Sequence, residues 1–215
     1  MKRILVLILL MIVVNAVAED KDKSDKHRCF PKSDMFIPIS NQKNFVMEGI
    51  KSDGLSELDF YQVIESFEAF WKPIVENKYN KKLIVRGEWI DATVDAYATR
   101  DDDNNPVIVI LGGLARHKDM TLNGLVLILC HELGHHYGGA PKSFRGKSKK
   151  RSWSSAEGQA DYFAANKCMS KMIEANMIFS PSLAELEKSS EEVCIDKYCN
   201  RVVPAALSVG KLFAS

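Results

Sequence analysis

The chain has 215 residues, of which 46% are hydrophobic and 27% charged, a composition that suits one globular domain with a sizeable core. Its 29 basic and 28 acidic side chains leave a formal net charge of +1. That balance excludes a general electrostatic pull toward nucleic acid or an anionic membrane, and no internal repeat points to a solenoid.

Residues 1–18 have the layout of a secretory signal peptide. Lys2 and Arg3 give a positive start, Ile4 to Val14 an apolar run, and Ala16-Val17-Ala18 small residues ahead of Glu19. The run falls short of the roughly 20 residues a spanning helix needs. The expectation is cleavage, no stable membrane anchor afterwards, and an exported product, periplasmic or secreted. Residues 19–35 are rich in Lys and Asp and are expected to form a mobile charged arm. Residues 36–215 are read as one domain.

Leu55 to Val75 predicts the first helix. Leu55, Leu58, Val63, Phe67, Phe70 and Ile74 fall near one helical stripe, and Ser56 with Glu57 starts it. Three extended segments follow, KLIVRGEW from Lys82, TVDAYAT from Thr93 and PVIVIL from Pro106. The polar run Asp101 to Asn105 predicts a hairpin between the last two. That run lacks the glycine and closing glutamate of a calcium loop, so it reads as a solvated turn. Ala96, Tyr97 and Ala98 are candidates for an edge strand that holds an extended peptide by main-chain pairing. Gly112 to Met120 reads as a loop, with His117 on the surface, and Thr121 as a helix cap.

The chemistry concentrates in LNGLVLILCHELGHHYGGA, Leu122 to Ala140. His131-Glu132-Leu133-Gly134-His135 is an H-E-x-x-H motif, which composition alone would produce in about one in a hundred such chains. The four-residue spacing puts His131 and His135 on one helix face, where both can hold one zinc ion. Glu132 is then placed as a general base rather than a ligand. Leu125 to Cys130 is apolar all round, as in a buried helix, and Gly138, Gly139 and Pro141 end it. His136 receives no metal role, and Tyr137 is a weak candidate for substrate contact.

Pro141 to Ser155 carries Lys142, Arg145, Lys147, Lys149, Lys150 and Arg151. It reads as a solvated basic loop, with a lid or a nick site as its functional alternative. Ser154 and Ser155 are expected to cap a second helix that carries Glu157 and Asp161 four residues apart. A catalytic zinc site takes three protein ligands and keeps one position open. Glu157 supplies the third ligand, and Asp161 can fix the tautomer of a ligating histidine. The longer pattern with a third histidine fails, because Pro141 stands where that histidine would be. Helix is expected to continue to about Met177, to reopen at Pro181 and to form a last segment over Val203 to Phe213.

At these residues the chain resembles gluzincin metallopeptidases of the HtpX-like type, the group that includes the prenyl-protein (CAAX) endopeptidases. In that group H-E-x-x-H is followed by a helix reading roughly E-x-x-A-D, as Glu157 to Asp161 does here. An N-A-F-A-like strand lies upstream, and Asp95-Ala96-Tyr97-Ala98 resembles it with Asp for Asn. Val107 to Leu114 is similar to the strand and Gly-Leu turn that follow. The resemblance spans roughly residues 55 to 170 and lacks the group's membrane spans. It implies an exported, soluble peptidase, with no secure match for an oxyanion-stabilising residue.

Export makes disulfides possible. Cys130, beside a ligand in a buried helix, is expected to stay a free thiol. Cys29, Cys168, Cys194 and Cys199 would make two bridges, with three connectivities open. The expected fold is α+β: a single zincin-like catalytic domain, mostly helical, with a small antiparallel sheet beside the H-E-x-x-H helix. The expected activity is hydrolysis of a protein or peptide substrate with Zn2+. The alternatives are a zinc hydrolase of a non-peptide or cell-wall amide, and a non-catalytic zinc-containing binding or chaperone-like protein.

Overall fold

A computed structural model describes residues 27–28, 35–39, 54–144, 151–179, 194 and 196–214. The signal segment, Cys29, residues 145–150 and the stretch opened by Pro181 lie outside the described residues.

The first long helix, α1, spans Glu57–Tyr79. Ser56 caps it by accepting from the Asp59 backbone, while the Asp59 carboxylate accepts from the Ser56 N–H at 3.1 Å. This capping box satisfies two of the amides that every helix start leaves open. The buried stripe is Phe60, Val63, Ile64, Phe67, Trp71 and Val75. It packs on the sheet and on the central helix.

Four strands form the main sheet: β1 His27–Arg28, β2 Ile84–Glu88, β3 Ala96–Arg100 and β4 Pro106–Leu111, in the order β1-β3-β4-β2. β3 and β4 form the expected hairpin, with Ala98 opposite Ile108. In its turn Asp101 accepts from the Asp103 and Asn105 amides at 3.0 and 2.7 Å. The hydrogen bond from the Asn105 side chain holds the Asp101 carboxyl below the usual range. The sheet is not the antiparallel one expected, because β2 runs parallel to β4. β4 is buried along its whole length and must be covered on both edges and both faces. Ile108 and Ile110 join the main core, while Val107, Val109 and Leu111 form a smaller cluster with Ile84 and Tyr97 on the other face.

A second departure concerns β3. It was expected at the sheet edge, but β1 lies outside it, in a stretch expected to be a mobile arm. Backbone pairing needs no apolar side chains, so a charged segment can add a strand.

After β4 the chain makes a short helix, α2 Gly112–Ala115, inside the expected loop. The central helix α3 spans Leu122–Tyr137. Thr121 caps it by accepting from the Gly124 N–H, as expected. Almost every residue of α3 through His136 is buried, as a helix that is apolar all round requires.

The basic linker is not all loop. Its ends pair as a hairpin, β5 Lys142–Phe144 with β6 Arg151–Ser155. Ser154 and Ser155 therefore lie in a strand and do not cap the next helix. That helix, α4 Glu157–Phe163, starts from Ala156 with no side-chain cap. It continues through a π-helical turn, Ala164–Met169, into α5 Ser170–Glu174. The last helix, α6 Cys199–Phe213, packs across α3. There Ser208 accepts from the Thr121 N–H and donates to the Asp119 carbonyl. The described chain is α+β, and no described helix is long and apolar enough to cross a membrane.

The cysteine expectation is overturned. Cys130 pairs with Cys168 across α3 and the π-helical turn, with Cα atoms 5.6 Å apart. Cys194 pairs with Cys199. A buried helix position beside a second buried cysteine is a place for a bridge, not for an isolated thiol.

Candidate metal centre

α3 and α4 meet where their backbones can approach. A Cβ built on Gly134 would lie 2.8 Å from the Ala160 carbonyl oxygen, closer than real Cβ contacts allow. The glycine inside H-E-x-x-H thus lets α4 lie directly against α3 and brings Glu157 to the histidines. Gln159 and Ser155 fasten the junction by donating to the Gly138 and Gly139 carbonyls at 2.6 and 2.8 Å.

His131, His135 and Glu157 come together, with one ligand atom from each within 4.8 Å of the others. The Nε2 atoms of His131 and His135 lie 3.1 and 3.7 Å from the same Glu157 oxygen, Oε2. In a tetrahedral zinc site with bonds near 2.0–2.1 Å, neighbouring ligand atoms sit about 3.3 Å apart. The observed spacing brackets that value, so this donor set fits a metal ion.

Both rings are held from behind. His131 Nδ1–H donates to Asp161 Oδ1 at 2.8 Å. That bond is the main reason the Asp161 carboxyl is held below its usual range. His135 Nδ1–H donates to the Ser155 carbonyl at 3.0 Å, with Ser154 Oγ 3.1 Å from the same nitrogen. Each bond commits Nδ1 as the donor and leaves the Nε2 lone pair for a metal. In place of the expected helix caps, Ser154 and Ser155 lie in β6, and from there they orient His135.

Exposure divides the site. The Glu157 and Asp161 side chains are open to solvent, whereas Glu132 and His135 have none of their surface exposed. Next to the open side is a cavity of about 390 Å³. His131, Glu157 and Asp161 form its polar end, and Ile128, Val209 and Phe213 are among its apolar walls. The contribution of α6 to this cavity had no signal in the sequence.

The remaining histidines stand elsewhere. His136 Nε2–H donates to the Val107 carbonyl at 3.3 Å, and its ring stacks on Trp153 with centroids 4.7 Å apart. Burial pushes its pKa down to about 3. His117 is buried, not on the surface as expected, and accepts from the Asp119 N–H. Burial lowers its pKa too. Tyr137 stacks on Tyr79 at the end of α1, and burial raises its phenol to about 12. Ala96 and Ala98 are fully buried, while Tyr97 belongs to the cluster on the other face of the sheet.

No family model, no curated protein and no solved structure matches this chain.

Proposed function

We propose that the chain is an exported zinc-dependent endopeptidase of zincin-like fold, related to the HtpX-like gluzincins it resembles. One observation carries the reading: two imidazole Nε2 atoms converge on one carboxylate oxygen, and the next residue after the first imidazole is Glu132. A purely structural site needs no such base. His131, His135 and Glu157 would hold the zinc, leaving a fourth position open. When bound, zinc supplies Lewis acidity that polarises a carbonyl and makes water a better nucleophile near neutral pH.

The chain's own residues do the rest. Glu132 takes a proton from the attacking water and returns it to the departing amine. Asp161 and the Ser155 carbonyl keep the two rings in the tautomer that binds metal. The cavity beside His131 takes an apolar side chain of the substrate next to the bond to be cut. Two cysteine pairs at bridging distance support export to an oxidising compartment. The partner in this reading is a protein or peptide, with no nucleic acid and no membrane anchor after signal cleavage.

A three-variant comparison tests the roles. The zinc-loaded chain is expected to carry one zinc. Glu132→Gln keeps the metal and loses peptide cleavage by about 10²–10⁴-fold, the usual contribution of acid–base catalysis. Glu157→Gln loses both, because a neutral amide is a poor ligand. A Glu132→Gln chain that loses zinc while Glu157→Gln keeps it would invert the assignment. Undiminished cleavage in both variants would remove the activity from this site.

A further inference from the structure

Trp153 and His136 hold two buried polar atoms that the rest of the fold leaves without a partner. His136 has 7% of its surface exposed, and its Nδ1 makes no hydrogen bond; nor does the buried Nε1–H of Trp153. The two rings stack, with planes 16° apart. Over the same indole lies Arg100, its guanidinium carbon 4.7 Å from the ring centroid.

The sheet puts Arg100 there. Ala96, Ala98 and Arg100 share one face of β3, since side chains alternate along a strand. Ala96 and Ala98 are fully buried, and Ala96 belongs to the core that contains α3. Arg100 extends that row to the end of β3, opposite Pro106. His136 reaches the same end of the sheet through its bond to the Val107 carbonyl. β5 adds a second cation, because Lys142 Nζ donates to Ser155 Oγ at 3.3 Å. Burial lowers the pKa of Lys142, and the nearby charge of Arg100 lowers it further.

These two cations have no counter-charge. The ion pairs among the described residues all involve His117, His131 or His135. The linker sequence from Lys142 to Arg151 contains no Asp or Glu. Stacking on an indole engages the face of a guanidinium and leaves its fork of N–H groups to bond elsewhere. Two like charges held close and half-buried are relieved by an anion between them. A carboxylate fits the fork, since it accepts two parallel bonds at once. A peptide that carries one supplies both missing kinds of partner: oxygens for the donors and backbone N–H groups for the His136 lone pair.

Ser155 ties this cluster to the metal group. Its hydroxyl accepts from Lys142, and its carbonyl accepts from His135 Nδ1–H at 3.0 Å. Two such bonds with one residue between them span about 10 Å, or about three residues of extended chain.

We propose that Arg100 and Lys142, seated on Trp153, form a subsite for a peptide carboxylate, and that this carboxylate lies about three residues from the bond to be cut. The subsite stands on the cluster alone; its distance from the cleaved bond rests on the peptidase reading. The carboxylate belongs either to an Asp or Glu side chain or to the C-terminus of the peptide, and the test separates the two.

The test uses the full mature zinc-loaded chain and its Arg100→Gln, Lys142→Gln and Lys72→Gln variants. Lys72 is an exposed control on α1, and melting temperature checks that each variant is folded. Three probes are titrated at millimolar concentration. Acetyl-triglutamate amide carries side-chain carboxylates, acetyl-triglycine carries a C-terminal one, and acetyl-triglutamine amide carries none. The readout is the NMR signal of the Trp153 indole N–H, assigned with Trp153→Phe. At least one acidic probe is expected to shift it, the neutral probe is not, and added salt weakens the effect. The acidic probe that binds assigns the source of the carboxylate. Arg100→Gln and Lys142→Gln should each raise its Kd at least tenfold, with Lys72→Gln unchanged. No shift from either acidic probe, an equal shift from the neutral one, an unchanged Kd in either site variant, or an equal loss in Lys72→Gln overturns the subsite.

Cleavage of quenched peptides is read separately. A carboxylate of the type that binds, placed about three residues from the cleaved bond, should raise kcat/KM at least tenfold over its neutral counterpart. Arg100→Gln should abolish that advantage. Equal values for the two peptides overturn the placement. No cleavage of any peptide while the probes still shift Trp153 sinks the peptidase reading and leaves the subsite standing.

Discussion

Gly134 and Ala160 touch backbone to backbone, and this contact sets the distance between the helix that carries the two histidines and the helix that carries Glu157. A methyl group on Gly134 would lie 2.8 Å from the Ala160 oxygen and 2.9 Å from its Cα. Neither is a flexible side-chain end, so α4 itself would have to move. Gly134→Ala is expected to cost about 1–3 kcal/mol, as overpacking does, and to weaken zinc binding by about tenfold or more through the displaced carboxylate. A chelator-competition titration on the folded variant measures it. Unchanged affinity would mean that the carboxylate follows the histidines without help from the glycine.

In the proposed site Asp161 would act on the metal through His131, which donates to it. Asp161→Asn removes the carboxylate that accepts from Nδ1 at 2.8 Å but leaves all three proposed ligands in place. Zinc affinity is expected to fall about 10–100-fold, less than for Glu157→Gln. The same titration ranks the two. A loss for Asp161→Asn as large as for Glu157→Gln would make Asp161 a ligand.

The histidine spacing of this site is readable from the sequence because it is local: a four-residue repeat on a helix needs no knowledge of the fold. Glu157 and Asp161 are readable for the same reason, as a second helical pair one connection later. What supports them is not. Ser155 reaches His135 through a carbonyl of β6, and a carbonyl has no residue-type signature. The charges of Lys142 to Arg151 look like loop and hide a hairpin whose inner residues, Trp153 to Ser155, are largely shielded. The side on which β2 joins the sheet depends on pairing across more than twenty residues, which alternation within Ile84–Glu88 does not encode. Cys130 finds Cys168 because α4 runs on through the π-helical turn that carries Cys168.

His136 gives the fold a pH dependence with a definite sign. Its pKa is about 3 in the folded chain, chiefly from burial, against an ordinary value of 6.5. Below pH 6.5 the unfolded chain takes up a proton that the folded one refuses. This contribution to stability is therefore complete above pH 6.5 and declines as the pH falls toward 3. His136→Phe keeps an aromatic ring against Trp153 but cannot titrate. The drop in melting temperature between pH 7 and pH 4.5 should be smaller in that variant than in the unaltered chain. An equal drop in both would place the acid sensitivity in other groups.

The two cysteine pairs differ in what they close. Cys130–Cys168 spans 38 residues and Cys194–Cys199 spans 5. The loop-entropy relation puts their contributions at about 4 and about 2 kcal/mol. Replacing both cysteines of the first pair with alanine should therefore lower unfolding free energy in urea more than the same change in the second. The longer bridge also anchors α3 one residue before His131, so its loss should weaken zinc binding, whereas loss of the shorter bridge should not. The pairing itself is checked by alkylation of the denatured, unreduced chain. Five cysteines less four in bridges leaves one, and the label is expected on Cys29. A label on Cys130 would restore the free buried thiol and remove the bridge between α3 and the π-helical turn.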